Sequence, residues 1–404
     1  VVGIIFTIHA AGQGRGSVVM LPESRMFGEA EIEITLQPET PGQVIRFTTD
    51  GTAPTAETGT EYEAPLKIGT TTQLRAVAIR SDGVAGTVAT GNYIKLAPDL
   101  IDYQSRLPIL VIESFAAGTI PAKGWNGTGA GIRQLPRQAA VWAMFDRSDT
   151  DGQAAMMNPP QMLSRIGIRG RGAFSSTWRQ KGYSVEAWQD SSDEERKVAP
   201  LDFPEHSDWV LYFPDPDQNK DPTLMHNTFI YELSKLAGRY ACRFRWMDVF
   251  INENGGDLTM ADRRGVYALL EKVSRGSDRL DFAQLSEDGT SGGWLLNLNR
   301  MDAIPEDGWP AENGATRPQF FHTPGPNRRS ETPANVPGRG DDIPIQSNGF
   351  LNFDNPNGYR INEAQRAAIE GWFVGFENVL YDNDLWKDPA AGYRQYVDVD
   401  DFVT

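Results

Sequence analysis

From about residue 18 to residue 95 the chain alternates apolar and polar residues in short runs, each broken by Pro, Gly or Asp. A side-chain period of two belongs to an extended strand with one face on a core. Ile32, Ile34 and Leu36 form one such face, and Leu74, Ala76 and Ala78 form another. Val44, Ile45 and Phe47 add a further short strand. Several short strands separated by turn residues predict an all-β sandwich over 18–95. Asp50-Gly51 supplies a tight hairpin turn, and Pro54 stiffens its exit.

Composition narrows what the rest of the chain can be. At 404 residues it has room for two or three domains with a sizeable core. Lys and Arg total 38 against 54 Asp and Glu, a formal charge of −16. That balance argues against a nucleic-acid partner, because phosphate neutralisation over a long surface needs a basic face. The single cysteine, Cys242, rules out an intrachain disulfide and a thiolate zinc cage. His9, His206, His226 and His322 are far apart and form no HExxH pair. The apolar run Val1–Ala10 reads either as the tail of a secretory signal or as the last strand of a preceding domain, so 1–17 is set apart. No stretch approaches the roughly 18 apolar residues of a membrane span, so no transmembrane segment is expected. Export or cell-surface attachment is the expected location.

Ile45-Arg-Phe-Thr-Thr-Asp-Gly-Thr-Ala-Pro-Thr55 resembles the signature of the chitobiase C-terminal-like β-sandwich family. The resemblance continues through Tyr62, Pro65-Leu66, Leu74–Ala78 and Asn92–Ile94. It implies a spacer or accessory module with carbohydrate contact as an option. A sugar platform needs exposed aromatics; Phe47, Tyr62 and Tyr93 are the candidates, and each also fits a core position.

Residues 96–106 read as a polar linker, and 107–404 as the larger domain. Strands are predicted at Leu107–Ile112, Val141–Phe145, Arg165–Arg169, Lys181–Trp188, Asp208–Tyr212, Trp246–Ile251 and Gly265–Val273. A helix is predicted over Asp221–Gly238, with Met225, Phe229, Leu233 and Leu236 on its buried face and Gly238 as C-cap. Gly124–Gly131 is glycine-rich without a strand-to-helix setting, which makes it a weak phosphate loop. The stretch Gly170-Arg-Gly-Ala-Phe-Ser-Ser-Thr-Trp178 is a glycine-containing turn between two strands, and Lys181 opens the second of them. A glycine-rich hairpin over phosphates with a lysine on a neighbouring strand is the arrangement protein kinases use.

Taken together, these segments resemble the CotH kinase family, the spore-coat-protein-H-like atypical kinases. The matching segments are Ile168-Arg-Gly-Arg-Gly172 with Ser175, Ser176 and Lys181; Asp208-Trp-Val-Leu211; Asp221–Asn227; and Gly265-Val-Tyr-Ala-Leu-Leu-Glu-Lys272. Gly292-Gly-Trp-Leu-Leu296 and Tyr393–Phe402 resemble later segments of the family. The fold class expected is α+β: a small all-β sandwich followed by an atypical protein-kinase-like domain that stops short at its C-terminal end. The resemblance implies ATP and Mg2+ as cofactors. It also implies phosphorylation of Ser or Thr on a protein substrate at the cell surface or coat.

Within that resemblance Lys181 would neutralise nucleotide phosphates, and Gly170, Gly172, Ser175 and Ser176 would lie at the phosphate loop. Arg169 would support the loop or the phosphates, or serve as a surface strand residue. Glu232 would orient Lys181 as a kinase helix glutamate does, or be a solvated helix charge. Glu271-Lys272 would meet adenine, or form a strand-end ion pair. Asn297 and Asn299 stand where the family often has charged residues. Residues 303–348 read as a long inserted loop containing Arg339-Gly-Asp341. Asn362-Glu-Ala-Gln365 is a capping-box start for a core helix. The family's metal-binding acids are expected beyond Thr404, so this chain is expected to lack kinase activity by itself. Two alternatives stand beside the kinase reading: a non-catalytic adhesion or structural protein, and a carbohydrate-binding module on a scaffold.

Overall fold

The computed structural model describes residues 17–122, 136–172, 175, 178–214, 221–298, 309–310, 316–317, 320–322, 350–382 and 384–400. The first unit is a two-sheet sandwich. β1 (Val18–Leu21), β3 (Ile32–Pro38) and β6 (Leu66–Ile68) form one antiparallel sheet, in the order β1-β3-β6. The other sheet runs β2 (Arg25–Phe27), β8 (Ala89–Lys95), β7 (Thr72–Ile79), β4 (Val44–Thr48), β5 (Thr60–Glu61). The predicted period-two faces meet between the sheets: Ile34, Leu36, Leu74, Ala76 and Ala78 share one buried cluster. At the predicted turn, the Asp50 carboxylate accepts from Thr52 N–H (3.0 Å) and Thr52 Oγ1 (2.6 Å), and Gly51 takes φ +79°.

The second unit is a closed seven-stranded barrel. Its strands are β10 (Ile109–Glu113), β11 (Gln138–Phe145), β13 (Met162–Arg171), β14 (Gly182–Ala187), β15 (Asp208–Tyr212), β16 (Phe244–Asn252) and β17 (Arg263–Glu271). Their order around the barrel is β10-β11-β13-β14-β15-β17-β16. Seven strands cannot alternate direction all the way round, so one seam must be parallel. It falls between β10 and β16, with Ile109 opposite Asp248 and Glu113 opposite Asn252. Alternate residues fill the interior, among them Trp142, Ile168, Val185, Trp209, Leu211, Val249 and Leu269. Burying a large apolar side chain contributes about 1.5–3 kcal/mol, so this interior dominates the unit's stability.

The stretch read as a polar linker carries Leu96 and Leu100 into a core shared by both units. It also holds α1 (Pro98–Ile101) and β9 (Gln104–Ser105), which pairs with β12 (Ala154–Ala155). Ile94 of the sandwich and Val111, Val141 and Phe250 of the barrel's outer face belong to the same cluster. The loop 189–193 is gripped from both sides. Arg75 of the sandwich donates to Ser191 O (2.9 Å), and Arg165 of the barrel donates to Ser192 O (2.8 Å). The two units are therefore packed as one body.

On the barrel's flank lies α2 (His226–Leu236). The apolar face predicted to be buried is instead exposed: Met225 51%, Phe229 60%, Leu233 50% and Leu236 84%. The helix seats its other side, with Thr228 buried and Tyr231 packed against Val210, Ala268 and Leu270. Periodicity identifies an apolar face; it does not say which face meets the barrel.

A C-terminal group follows. β18 (Leu295–Leu298), β21 (Phe320–His322) and β22 (Phe350–Asn355) pair in the order β18-β22-β21; β19 (Trp309–Pro310) and β20 (Thr316–Arg317) form a short ladder. α3 (Glu363–Leu380) starts with the expected capping box, Asn362 Oδ1 accepting from Gln365 N–H at 2.8 Å. Ile369 packs on Phe353 and Ile361, while Trp372 stays 41% exposed. No helix of the described residues is long and apolar enough to cross a membrane. The Val1–Ala10 run, Gly124–Gly131, Ser176 and Arg339-Gly-Asp341 lie outside the described residues.

Candidate functional site at the barrel mouth

β13 and β14 are joined by the glycine-containing turn, so Lys181 stands at the rim where β14 begins. Two positions on, Tyr183 points into the barrel. Tyr267 does the same from β17, with its ring centroid 6.5 Å from that of Tyr183 and 5.1 Å from that of Phe213. These rings floor a pocket of about 100 Å3. Arg179, Lys181 and Arg264 rim it, with Glu253 the one carboxylate among the lining side chains.

The charges around the pocket are not equivalent. Both oxygens of Glu253 are taken: Oε1 accepts from Ile120 N–H (2.7 Å) and Oε2 from Arg264 Nη2 (3.2 Å). Arg264 also donates to Ile251 O (3.2 Å). Gln180 Nε2 donates to the Arg264 carbonyl, which ties the turn to the start of β17. Arg179 and Lys181 form no ion pair with any described residue. Burial pushes the Tyr183 phenol up to about 12, with the Glu253 charge adding to it. Burial raises Tyr267 as well. Both phenols therefore stay protonated as O–H donors across the physiological range.

Other residues expected at a nucleotide site are spread over the barrel. Gly170 donates its N–H to Pro121 O at 2.7 Å, and a Cβ there would lie 2.5 Å from that of Ala122. Its glycine is thus required by the crossing of segment 119–122, and its N–H is already used. Gly172 has φ +89°, a turn conformation that disfavours other residues. The Ser175 carbonyl accepts from Trp178 N–H at 3.3 Å. Arg169 pairs in register with Ser184 on the barrel's outer side; burial, then the neighbouring Arg137, lowers its guanidinium. Arg137 there binds Glu186 (3.1 Å) and Asp208 (3.3 Å).

Glu232 is exposed on α2 and pairs with Lys235 at 2.8 Å; it does not line the pocket of Lys181. Glu271 and Lys272 lie at the far end of β17. Seven residues separate Arg264 from Glu271, roughly 24 Å at about 3.4 Å per residue. Glu271 is fully buried and bound by Arg243 Nη1 (3.1 Å), Arg243 N–H (3.0 Å) and Tyr240 Oη (3.1 Å), with Arg279 at 3.4 Å. Lys272 reaches Asp208 at 3.2 Å. Strand-end ion pairing is what these two side chains do.

Sequence reading did not single out Arg179, Tyr183, Glu253, Arg264 or Tyr267. The two tyrosines sat inside segments already assigned to strands, and period two aims them at the same interior. Glu253 and Arg264 flank the Asn254-Gly255-Gly256 turn, and only closure of the barrel brings them to Lys181.

Residues 168–321 match the CotH kinase protein family. Residues 24–90 match the chitobiase/beta-hexosaminidase C-terminal domain. The order is a carbohydrate-binding-like β-sandwich followed by a CotH-like region. No curated protein matches the chain. The CotH-like region opens within β13 and takes in Arg179, Lys181, Tyr183, Glu253, Arg264 and Tyr267. Strands β10 and β11, and the segment 119–122 that crosses Gly170, precede it. Among the described residues no group of three or more His, Cys, Asp or Glu is placed to hold a metal ion.

Proposed function

We propose that the CotH-like region binds the phosphates of ATP at the barrel mouth, as the nucleotide-holding part of an atypical Ser/Thr protein kinase acting on exported or surface proteins. The observation that carries this reading is the pair Arg179 and Lys181. In a chain of net charge −16 they stand together at a concave, tyrosine-floored pocket without an ion-pair partner among the described residues. An ammonium and a guanidinium beside two phenolic donors suit a phosphate oxyanion. Lys181 is a point charge for a phosphate oxygen, and Arg179 can bind two oxygens at once.

The donor chemistry fits the phosphates and does not fit Mg2+. Mg2+ requires oxygen ligands in near-octahedral array, and the pocket's carboxylate, Glu253, is already committed to Arg264 and Ile120 N–H. No step through the metal is therefore derived from these residues. Calorimetric titration of the full chain with ATP tests the reading. Binding that falls at least about tenfold in Lys181→Ala supports it, a loss of about 1.4 kcal/mol. Absence of ATP binding, or binding indifferent to Lys181, would end it.

A second reading, a surface scaffold that keeps this fold, draws on the outward apolar ridge of α2, which suits contact with another protein. The sandwich offers less to a sugar. Tyr93 is fully buried with its hydroxyl on Pro22 O (2.8 Å), and Phe47 and Tyr62 pack onto the sandwich core.

A further inference from the structure

We infer that the barrel-mouth pocket reads one phosphoryl group and leaves the nucleotide base unread, so that its ligand class is the polyphosphate terminus whatever it is attached to. This inference rests on the phosphate-binding reading above and narrows it. Size is the first ground. At about 100 Å3 the pocket falls well below the ~300–1,000 Å3 of pockets that enclose a whole small molecule. Its enclosed part matches a tetrahedral oxyanion and is too small to take in a nucleoside as well.

The lining is the second ground. Arg179 and Lys181 are donors only, and the Tyr183 and Tyr267 hydroxyls are O–H groups at the floor. Glu253, the one carboxylate in the lining, already accepts one hydrogen bond on each oxygen, from Ile120 N–H and from Arg264. A base edge presents donors and acceptors together, whereas a phosphate presents acceptors alone; three cationic side chains (Arg179, Lys181 and Arg264) against one carboxylate weight the lining towards the second, with Thr119 and Gln180 able to donate as well as accept. Among the described residues that line the pocket there is no open stacking slot. The Tyr183 and Tyr267 rings lie against each other and against Phe213, within the barrel core.

The third ground is the place where a base was expected. Glu271 is fully buried under four contacts, and Lys272 is held by Asp208, at the opposite end of the barrel from Lys181. Neither of these two side chains is free to contact an adenine whose phosphates sit at the mouth.

The test is a set of titrations of the full chain with ATP, GTP, UTP and inorganic tripolyphosphate under one buffer and salt condition. The four affinities are expected to agree within about threefold, and to fall together by at least about tenfold in Lys181→Gln and in Arg179→Gln. Melting temperatures of both variants should stay at the wild-type value, because neither side chain supports a described ion pair. ATP binding about tenfold or more tighter than tripolyphosphate and GTP would overturn the inference and leave the ATP reading standing. If none of the four binds, the phosphate-binding reading falls and this inference with it. Loss of ATP binding in the variants with tripolyphosphate unaffected would also count against it.

Discussion

The two ends of the barrel carry similar residues and do different work. At the far end Glu271 is enclosed by Arg243, Arg279 and Tyr240, and Arg279 additionally lies 5.6 Å over the Trp209 ring. Each of these charges has found a partner inside the protein. At the mouth, the one cation that Glu253 binds is Arg264, and Arg179 and Lys181 have no ion-pair partner among the described residues. The difference teaches that a cluster of cations marks a site only where the protein itself has not supplied the anions.

The sharpest way to break this contrast is Glu271→Ala. It should cost about 3–5 kcal/mol, because it strands a buried arginine that is only 2% exposed. Urea unfolding would measure it, and a loss below about 1 kcal/mol would mean the far end is not the closed network described.

Next in size is a pH effect at the mouth end, on the outer face. Glu113 is fully buried opposite Asn252; Oε1 accepts from Phe115 N–H at 2.6 Å, and Oε2 has no partner. Burial pushes its carboxyl up to about 8, with Asp262 nearby adding to the rise. The native state then holds a proton that the unfolded chain releases above its ordinary value of 4.5. Stability from this group is complete below about pH 4.5, declines as pH rises towards about 8, and is level above it. The decline should be up to about 5 kcal/mol, at roughly 1.4 kcal/mol per pH unit between 4.5 and about 8, and Glu113→Gln should flatten that part of the profile. An unchanged pH slope in the variant would show that Glu113 is ionised in the fold.

Arg75→Ala tests whether the sandwich is part of the barrel's support. The loss of its bonds to Gly51 O (3.2 Å) and Ser191 O (2.9 Å) should cost about 2 kcal/mol and leave a single unfolding transition. Two separated transitions would instead show independent units. The smallest expected change in stability is at the mouth itself. Lys181→Ala should alter unfolding by less than about 0.5 kcal/mol, since the residue forms no ion pair with a described residue. A large loss there would mean that Lys181 is a structural cation like Arg279.

Much of the architecture was legible. Every strand of the barrel was anticipated within a few residues, because alternation is written locally and survives any packing. The capping box at Asn362 was read correctly for the same reason: donor and acceptor lie three residues apart. Lys181 was picked out by its position after a glycine-containing turn. The buried face of α2 was misread, because an apolar ridge is a property of the helix and its covering is a property of the neighbour. Gly170 invited a phosphate-loop interpretation, yet its contact is Pro121 and Ala122, some fifty residues earlier in the chain.

What the sequence by itself determined was the strand periodicity, the turns, the caps and the excess of acid over base. Closure of seven strands, the parallel seam, the shared core through Leu96 and Leu100, and the choice of which cations are neutralised were decided by tertiary structure. The physical reason is range. Backbone preference and side-chain period act over two to four residues, whereas the state of a charge depends on whichever group the fold brings within a few ångströms. Glu253 and Lys181 are 72 positions apart in the chain and share one pocket only because β14 begins and β16 ends at the same rim.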